Sequence, residues 1–188
     1  MATNHEYTQA QQSRAYAFHY GFWVGLCWVG SFMLTVAGLS SPMMSNLGLL
    51  MGLGSLVLGV SLLRGFRDHI GPLPLGRAWY MSWLTFMAAA LLCTAFQYIY
   101  FAYLDDGAFV VAYTEMLHRP EMEEAIDNMF PQEDMRKQMD EFISIFSTTP
   151  PAQKAISFLM ANVLLASIVA FPVALFSKDP MKTDNNGN

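Results

Sequence analysis

The sequence predicts an all-α fold: an integral membrane four-helix bundle with an extracytoplasmic amphipathic helical hairpin between its third and fourth helices. Three observations predict it. Four long stretches, 19–40, 45–63, 78–104 and 155–176, are almost free of charge. The charges that remain divide unequally between the segments outside them. The longest of those segments, 105–154, repeats apolar residues at helical spacing. The chain is 54% hydrophobic and only 13% charged, where a water-soluble domain carries about 25% charged residues. A helix needs about 20 apolar residues to cross a hydrocarbon layer of about 30 Å. The four stretches meet that need, so the chain reads as one membrane domain of four transmembrane helices, with short tails at 1–18 and 177–188.

The first apolar run does not read as a cleaved leader. Eighteen polar-leaning residues precede it, it outlasts an h-region of about 7–15 residues, and no small-x-small cleavage site follows. A lipoprotein signal fails too, because Leu26 rather than a small residue precedes Cys27. Tyr16, Phe18, Tyr20, Phe22 and Trp23 form an aromatic belt at the entrance of this helix, the position that such rings favour at a headgroup layer. Cys27 and Cys93 fall inside different spans at different depths. They read as small buried hydrophobes rather than a redox pair.

The second run follows the short, uncharged connection "SSPMMSN", which allows only a tight turn. The first two helices therefore form an antiparallel hairpin. Gly48, Gly52, Ser55 and Gly59 recur at spacings of four, three and four on one face of the second helix. Small residues let backbones approach where packing, not water release, drives association. Contact within the bundle is the default reading of this stripe, and a homo-oligomer or another protein subunit would use the same face.

The stretch "RGFRDHIGPLPLGRAW", 64–79, holds three arginines, one histidine and two prolines between two apolar runs. Arg64, Arg67, His69 and Arg77 read either as a cradle for a lipid phosphate or as a basic rim that snorkels to lipid headgroups. The charge balance favours the rim. Outside 105–154 there are six basic residues against four acidic; inside it there are eleven acidic against four basic. Cytoplasmic loops collect Lys and Arg, so both termini and the 64–77 loop are expected in the cytoplasm, with 105–154 outside. His69 beside Asp68 reads as a solvated pair, because no nucleophile or ligand set accompanies it.

The third run is long enough to tilt or to project beyond the membrane. Gln97 and Thr94 lie toward its outer end, and Asn162 lies at a similar depth in the fourth run. A Gln97–Asn162 hydrogen bond reads as helix glue worth about 0.6–2 kcal/mol, with a polar substrate pocket as the other reading. No span centre holds an Asp, Glu, Lys, Arg or His, which speaks against ion-coupled transport. Pro172 is expected to kink the fourth helix.

Within 105–154, Pro120 is followed by Glu121, Glu123 and Glu124, and Pro131 by Glu133 and Asp134. Proline at the first helical position with acids in the first turn marks a helix start. Met122, Ile126, Met129 and Phe130 share one face, and Met135, Met139, Phe142 and Phe146 share another. The greasy side of such a hairpin covers the bundle, the membrane surface or a partner. Met116, Met122, Met129, Met135 and Met139 with His118 could in principle take copper(I) through thioethers. Filling an apolar face explains the same residues, so no metal and no cofactor is expected. No Gly-rich loop, Cys/His cluster or nucleophile elbow appears.

The basic turn with Gly76-Arg77-Ala78 opening the third helix, the aromatic exit "YIYFAYL", the long acidic loop with its Pro break and a fourth helix ending near basic residues together form a pattern. It resembles a family of four-span inner-membrane proteins of the Bacteroidota known only as domain of unknown function number forty-one ninety-nine. The resemblance implies location and fold rather than chemistry, and an association with polyprenyl-phosphate glycosyltransferases. The expected function is a non-catalytic inner-membrane subunit or scaffold. It would assemble through small-residue faces and present the acidic hairpin, with membrane lipids and a protein as partners and no nucleic acid. The alternative is an accessory, lipid-phosphate-handling component of a polyprenyl-phosphate glycosyltransferase system that uses the 64–77 loop.

Overall fold

The computed structural model describes residues 3–129 and 133–179, and side chains throughout these except at 3–10, 127 and 133–136. Among the described residues the chain is helical and contains no strand. In order the helices are α1 (Thr3–Gly38), α2 (Pro42–His69), α3 (Leu75–Ile99), α4 (Ala108–Leu117), α5 (Pro120–Met129), α6 (Glu133–Thr148) and α7 (Pro151–Ser177). A π-helical turn, Tyr100–Leu104, extends α3. Gln11–Gly38, Pro42–His69, Leu75–Leu104 and Pro151–Ser177 are each long and apolar enough to cross a membrane. The protein is a multi-pass α-helical membrane protein.

These helices outrun the apolar stretches at both ends, for a simple reason. Hydropathy marks only the part of a helix that lies in hydrocarbon, while its polar ends continue as helix beyond it. Residues read as an N-terminal tail thus belong to α1, Arg64 and Arg67 ride on α2, and Lys154 lies in the first turn of α7 rather than in the loop. Residues 180–188, most of the expected C-terminal tail, and Phe130 and Pro131 lie outside the described residues. Helix α4 is an addition to the expected hairpin. Its start is fixed by Gly107, whose φ of 88° suits glycine, and by Asp105, whose carboxylate accepts the Phe109 amide at 2.7 Å. Helix α7 runs through Pro172 without a break.

The four spans stand in the order α2, α1, α3, α7, with extensive contact between neighbours and a lesser contact between α2 and α7. The core gathers Val24 and Trp28 of α1, Leu63 and Phe66 of α2, Phe86 and Ala89 of α3, and Ala166 and Val173 of α7. Leu49, Leu50, Val57, Leu164 and Ile168 point outward, as the lipid-facing sides of membrane helices must. Between helices in lipid, close packing and hydrogen bonds replace the hydrophobic effect, and glycine is where closeness is set. A Cβ built on Gly21 would lie 2.5 Å from the Ala88 Cβ and 2.7 Å from the Thr85 carbonyl oxygen. One on Gly48 would lie 2.8 Å from Thr35 Oγ1 and 3.0 Å from the Ser31 carbonyl oxygen. The Ser31 hydroxyl uses the proximity to donate to the Gly48 carbonyl at 2.7 Å. Trp28 Nε1 donates to Ser55 Oγ at 3.0 Å, and Ser55 donates on to the Gly52 carbonyl at 2.6 Å.

The small-residue stripe of α2 is therefore occupied within the chain: Gly48, Gly52 and Ser55 face α1, and Gly59 meets Phe86 of α3 and Val173 of α7. A Gly48→Val change should cost about 1–3 kcal/mol by overpacking and lower the melting temperature in detergent. Gly54→Val, at a position with open space around it, should leave the melting temperature unchanged. Equal effects would show that the α1–α2 approach does not hold the hairpin.

Candidate functional site

Three places in the fold bring polar chemistry together. The first is the basic end of the bundle. Arg64 Nε donates to the Phe176 carbonyl at 2.9 Å, and Arg67 Nη1 donates to the Lys178 carbonyl at 3.1 Å. Arg67 Nε also meets the Asp68 carboxylate at 2.9 Å. These carbonyls are the last of α7, which no intrahelical amide can reach; cationic donors there also suit the helix dipole. The loop after α2 is clipped to the same end by a reciprocal pair. The Leu73 amide donates to Asp179 Oδ2, and the Asp179 amide donates to the Leu73 carbonyl. Arg77 reaches α1: Nε and Nη2 both meet Ser13 Oγ, and the guanidinium lies 5.3 Å from the Phe66 ring centroid.

The loop that reads as a phosphate cradle or headgroup rim thus acts as a clamp between helices. A phosphate at Arg67 or Arg77 would have to displace bonds already made within the chain. His69 is exposed and takes no part in the clamp. Sequence spacing could not reveal this role, because the acceptors are main-chain carbonyls more than a hundred residues away.

The second place is the opposite end, where rings hold α4 and α6 to the bundle. Phe101 lies parallel to Phe158 at 5.5 Å and meets Phe109 and Phe146 edge-on at 5.6 and 5.8 Å. Lys154 is buried among them, its Nζ 4.6 Å from the Phe146 centroid and 5.6 Å from that of Phe101. The ring faces substitute for a carboxylate partner; among the described residues the one ion pair is Arg67–Asp68. Arg119, just before α5, donates to the Leu39 carbonyl at the α1–α2 turn at 2.7 Å. Of the residues read as facing a partner, Phe146 is an anchor to the bundle. Met122, Ile126 and Met139 are half-buried, Phe142 is exposed, and the Met135 side chain lies outside the described residues. His118 Nδ1 lies 2.8 Å from the Thr114 carbonyl, and among the described residues no three His, Cys, Asp or Glu are grouped to hold a metal ion.

The third place is a cleft of about 550 Å3 between α2 and α7. The two helices touch near the basic end, where Gly59 meets Val173, and part toward the other. Trp28, Ser31, Phe32 and Thr35 of α1 and Cys93 and Gln97 of α3 form its floor. Asn162 of α7 lines it and donates through Nδ2 to Gln97 Oε1 at 3.1 Å, with Thr94 Oγ1 at 3.4 Å. The pair does join α3 to α7, and it also forms part of a pocket wall. The sequence signal for the pocket was the set of polar residues Ser31, Thr35, Asn46, Gln97 and Asn162, spread over four helices in the half of the bundle toward the α1–α2 turn.

A family model described as a protein of unknown function (DUF4199) matches residues 19–179, and the chain belongs to that family. No curated protein and no solved structure matches it.

The clamp has a direct test. Arg67→Ala should remove a charged hydrogen bond worth about 1.5–3 kcal/mol when intact, reduced here because the side chain is partly exposed. Amide hydrogen exchange at 174–179 should quicken several-fold, while His69→Ala leaves it unchanged. Unchanged exchange in Arg67→Ala would mean that α7 ends without help from α2.

Proposed function

We propose that this member of the family is a non-catalytic subunit or scaffold of a bacterial inner (cytoplasmic) membrane, with both termini in the cytoplasm and α4–α6 on the extracytoplasmic side, where α6 engages a protein partner. One observation carries the reading: the apolar stripe of α6 is only half covered. Phe146 and Met139 turn toward the bundle and its neighbours, while Phe142 and Ile145 remain 56% and 58% exposed. Asp140 and Glu141 beside them are exposed too. An uncovered apolar edge rimmed by acids is repelled by anionic lipid headgroups and suits a protein surface with basic residues around an apolar centre.

The orientation rests on the charge at the two ends. Arg14, Arg64, Arg67, Arg77 and Lys178 gather at the end where α2 meets α7, and the acids of 105–154 lie at the other. Cytoplasmic loops carry the Lys and Arg excess. The stripe of small residues on α2 supports assembly of the bundle itself rather than of a larger complex, since α1 already occupies most of it.

Orientation is testable with a membrane-impermeant maleimide in a Cys27→Ser, Cys93→Ser background. A cysteine at Asn128 should label in intact spheroplasts, and one at His69 only after permeabilisation; labelling of both from the same side overturns the assignment. The partner surface has its own test. Paired Phe142→Asp and Ile145→Asp substitutions should reduce recovery of co-purifying protein in mild detergent by about tenfold or more, the loss expected for interface anchors. The melting temperature should hold steady. Unaltered recovery removes the α6 edge from the argument.

A further inference from the structure

We propose that the cleft between α2 and α7 binds a membrane lipid whose head region is uncharged and hydrogen-bonding, such as a diacylglycerol, with an acyl chain lying between the two helices. Its volume, about 550 Å3, lies within the about 300–1,000 Å3 typical of ligand sites. It opens sideways, because α2 and α7 close on each other only toward the basic end, at Gly59–Val173 and at Arg64–Phe176.

The chemistry of the walls is graded along the bundle. Leu56 and Val169 line the part nearer the middle of the helices, and Asn46 and Thr35 line the part nearer the α1–α2 turn. Gln97 and Asn162 lie between. Gln97 is seven residues inside Leu104 and Asn162 eleven inside Pro151, about 10–16 Å at the helical rise. That gradient matches an amphiphile with its polar part toward the α4–α6 end and its chain toward the bilayer centre.

Unspent hydrogen bonds point to the same occupant. Gln97 is 3% exposed. Its Oε1 accepts from Asn162, but its Nε2 and the Asn162 Oδ1 make no bond to any described residue. A polar group left unpaired in hydrocarbon is costly, and an alkyl chain offers it nothing. A hydroxyl or ester offers both a donor or acceptor and an attached chain. A charged head is disfavoured, because no ionisable side chain other than the buried Cys93 thiol lines the cleft.

The test uses the full chain in phosphatidylcholine liposomes doped with a diazirine-bearing diacylglycerol or, in parallel, with a phosphatidylglycerol of identical chains. Cross-links mapped by mass spectrometry should fall on 49–56 and 162–169, and be stronger for the diacylglycerol. Gln97→Leu with Asn162→Leu removes both polar groups together and leaves neither unpaired. It should reduce diacylglycerol labelling about three- to thirty-fold, the factor that one or two membrane hydrogen bonds supply, and abolish the preference between the probes. Leu53→Trp, on the exposed rim of α2, should suppress both labels while the melting temperature is kept. Labelling indifferent to headgroup and to Leu53→Trp identifies ordinary boundary lipid and overturns the proposal. So does a photoreactive side chain at 53 that cross-links to a second copy or to another protein instead of to lipid, since a helix then fills the cleft.

Discussion

The backbone-to-backbone approach of α1 to its two neighbours sets the architecture. In hydrocarbon, packing and interhelical hydrogen bonds hold helices together in place of the hydrophobic effect, and backbone approach at this range needs glycine on at least one side. Gly21 and Gly25 let α3 in, against Ala88 and Ala89; Gly48 lets α1 in against α2. With α1 held on both sides and α7 laid on α3, α2 and α7 become the outer pair. They close on each other toward the basic end, where a glycine, Gly59, again permits it and Arg64 reaches the Phe176 carbonyl. The divergence beyond that point is what opens the cleft, so the pocket follows from the distribution of glycines and not from any dedicated loop.

The two ends of the bundle solve their exposed backbone and charge by different means. At one end, guanidinium groups donate to the last carbonyls of α7 and bridge the start of α3 to α1. At the other, rings do most of the joining, and the lone Lys154 is tolerated among them by cation–π contact. Arginine suits the first task because its planar fork stays charged and serves several acceptors at once. Phenylalanine suits the second because a chain leaving and re-entering the membrane interface meets no fixed partner set, and edge-to-face ring contacts are forgiving in direction.

Much of this was legible in the sequence, and the illegible parts share a cause. The four spans, the α1–α2 hairpin and the helices after Pro120 and Pro131 follow from hydropathy and local start signals, which act over a few residues. The Gln97–Asn162 pair was reachable because membrane depth is a coordinate that sequence counting supplies on both helices. Helix α4 was hidden since its apolar residues, 108–117, carry little periodicity. The α1–α3 seam had a signal in the four-residue spacing of Gly21 and Gly25, masked by the bulky aromatics between them. The arginine clamp had none, because a main-chain carbonyl looks alike at every residue.

The clamp and the cleft are mechanically one device. Arg64, Arg67 and the Leu73–Asp179 pair tie α2 and its following loop to the end of α7, and Gly59 against Val173 completes the hinge. Two rods fixed at one end separate only at the other. Any change in the width of the cleft is therefore largest near Asn46 and Asn162, and least near Val169. For the proposed lipid, this geometry favours sideways entry from the bilayer at the α4–α6 end, with the head along the polar wall and the chain toward Val169. The Arg119–Leu39 bond ties the α1–α2 turn to the start of α5. The open end of α2 is thereby in contact, through the α1–α2 turn, with the α4–α6 end of the chain.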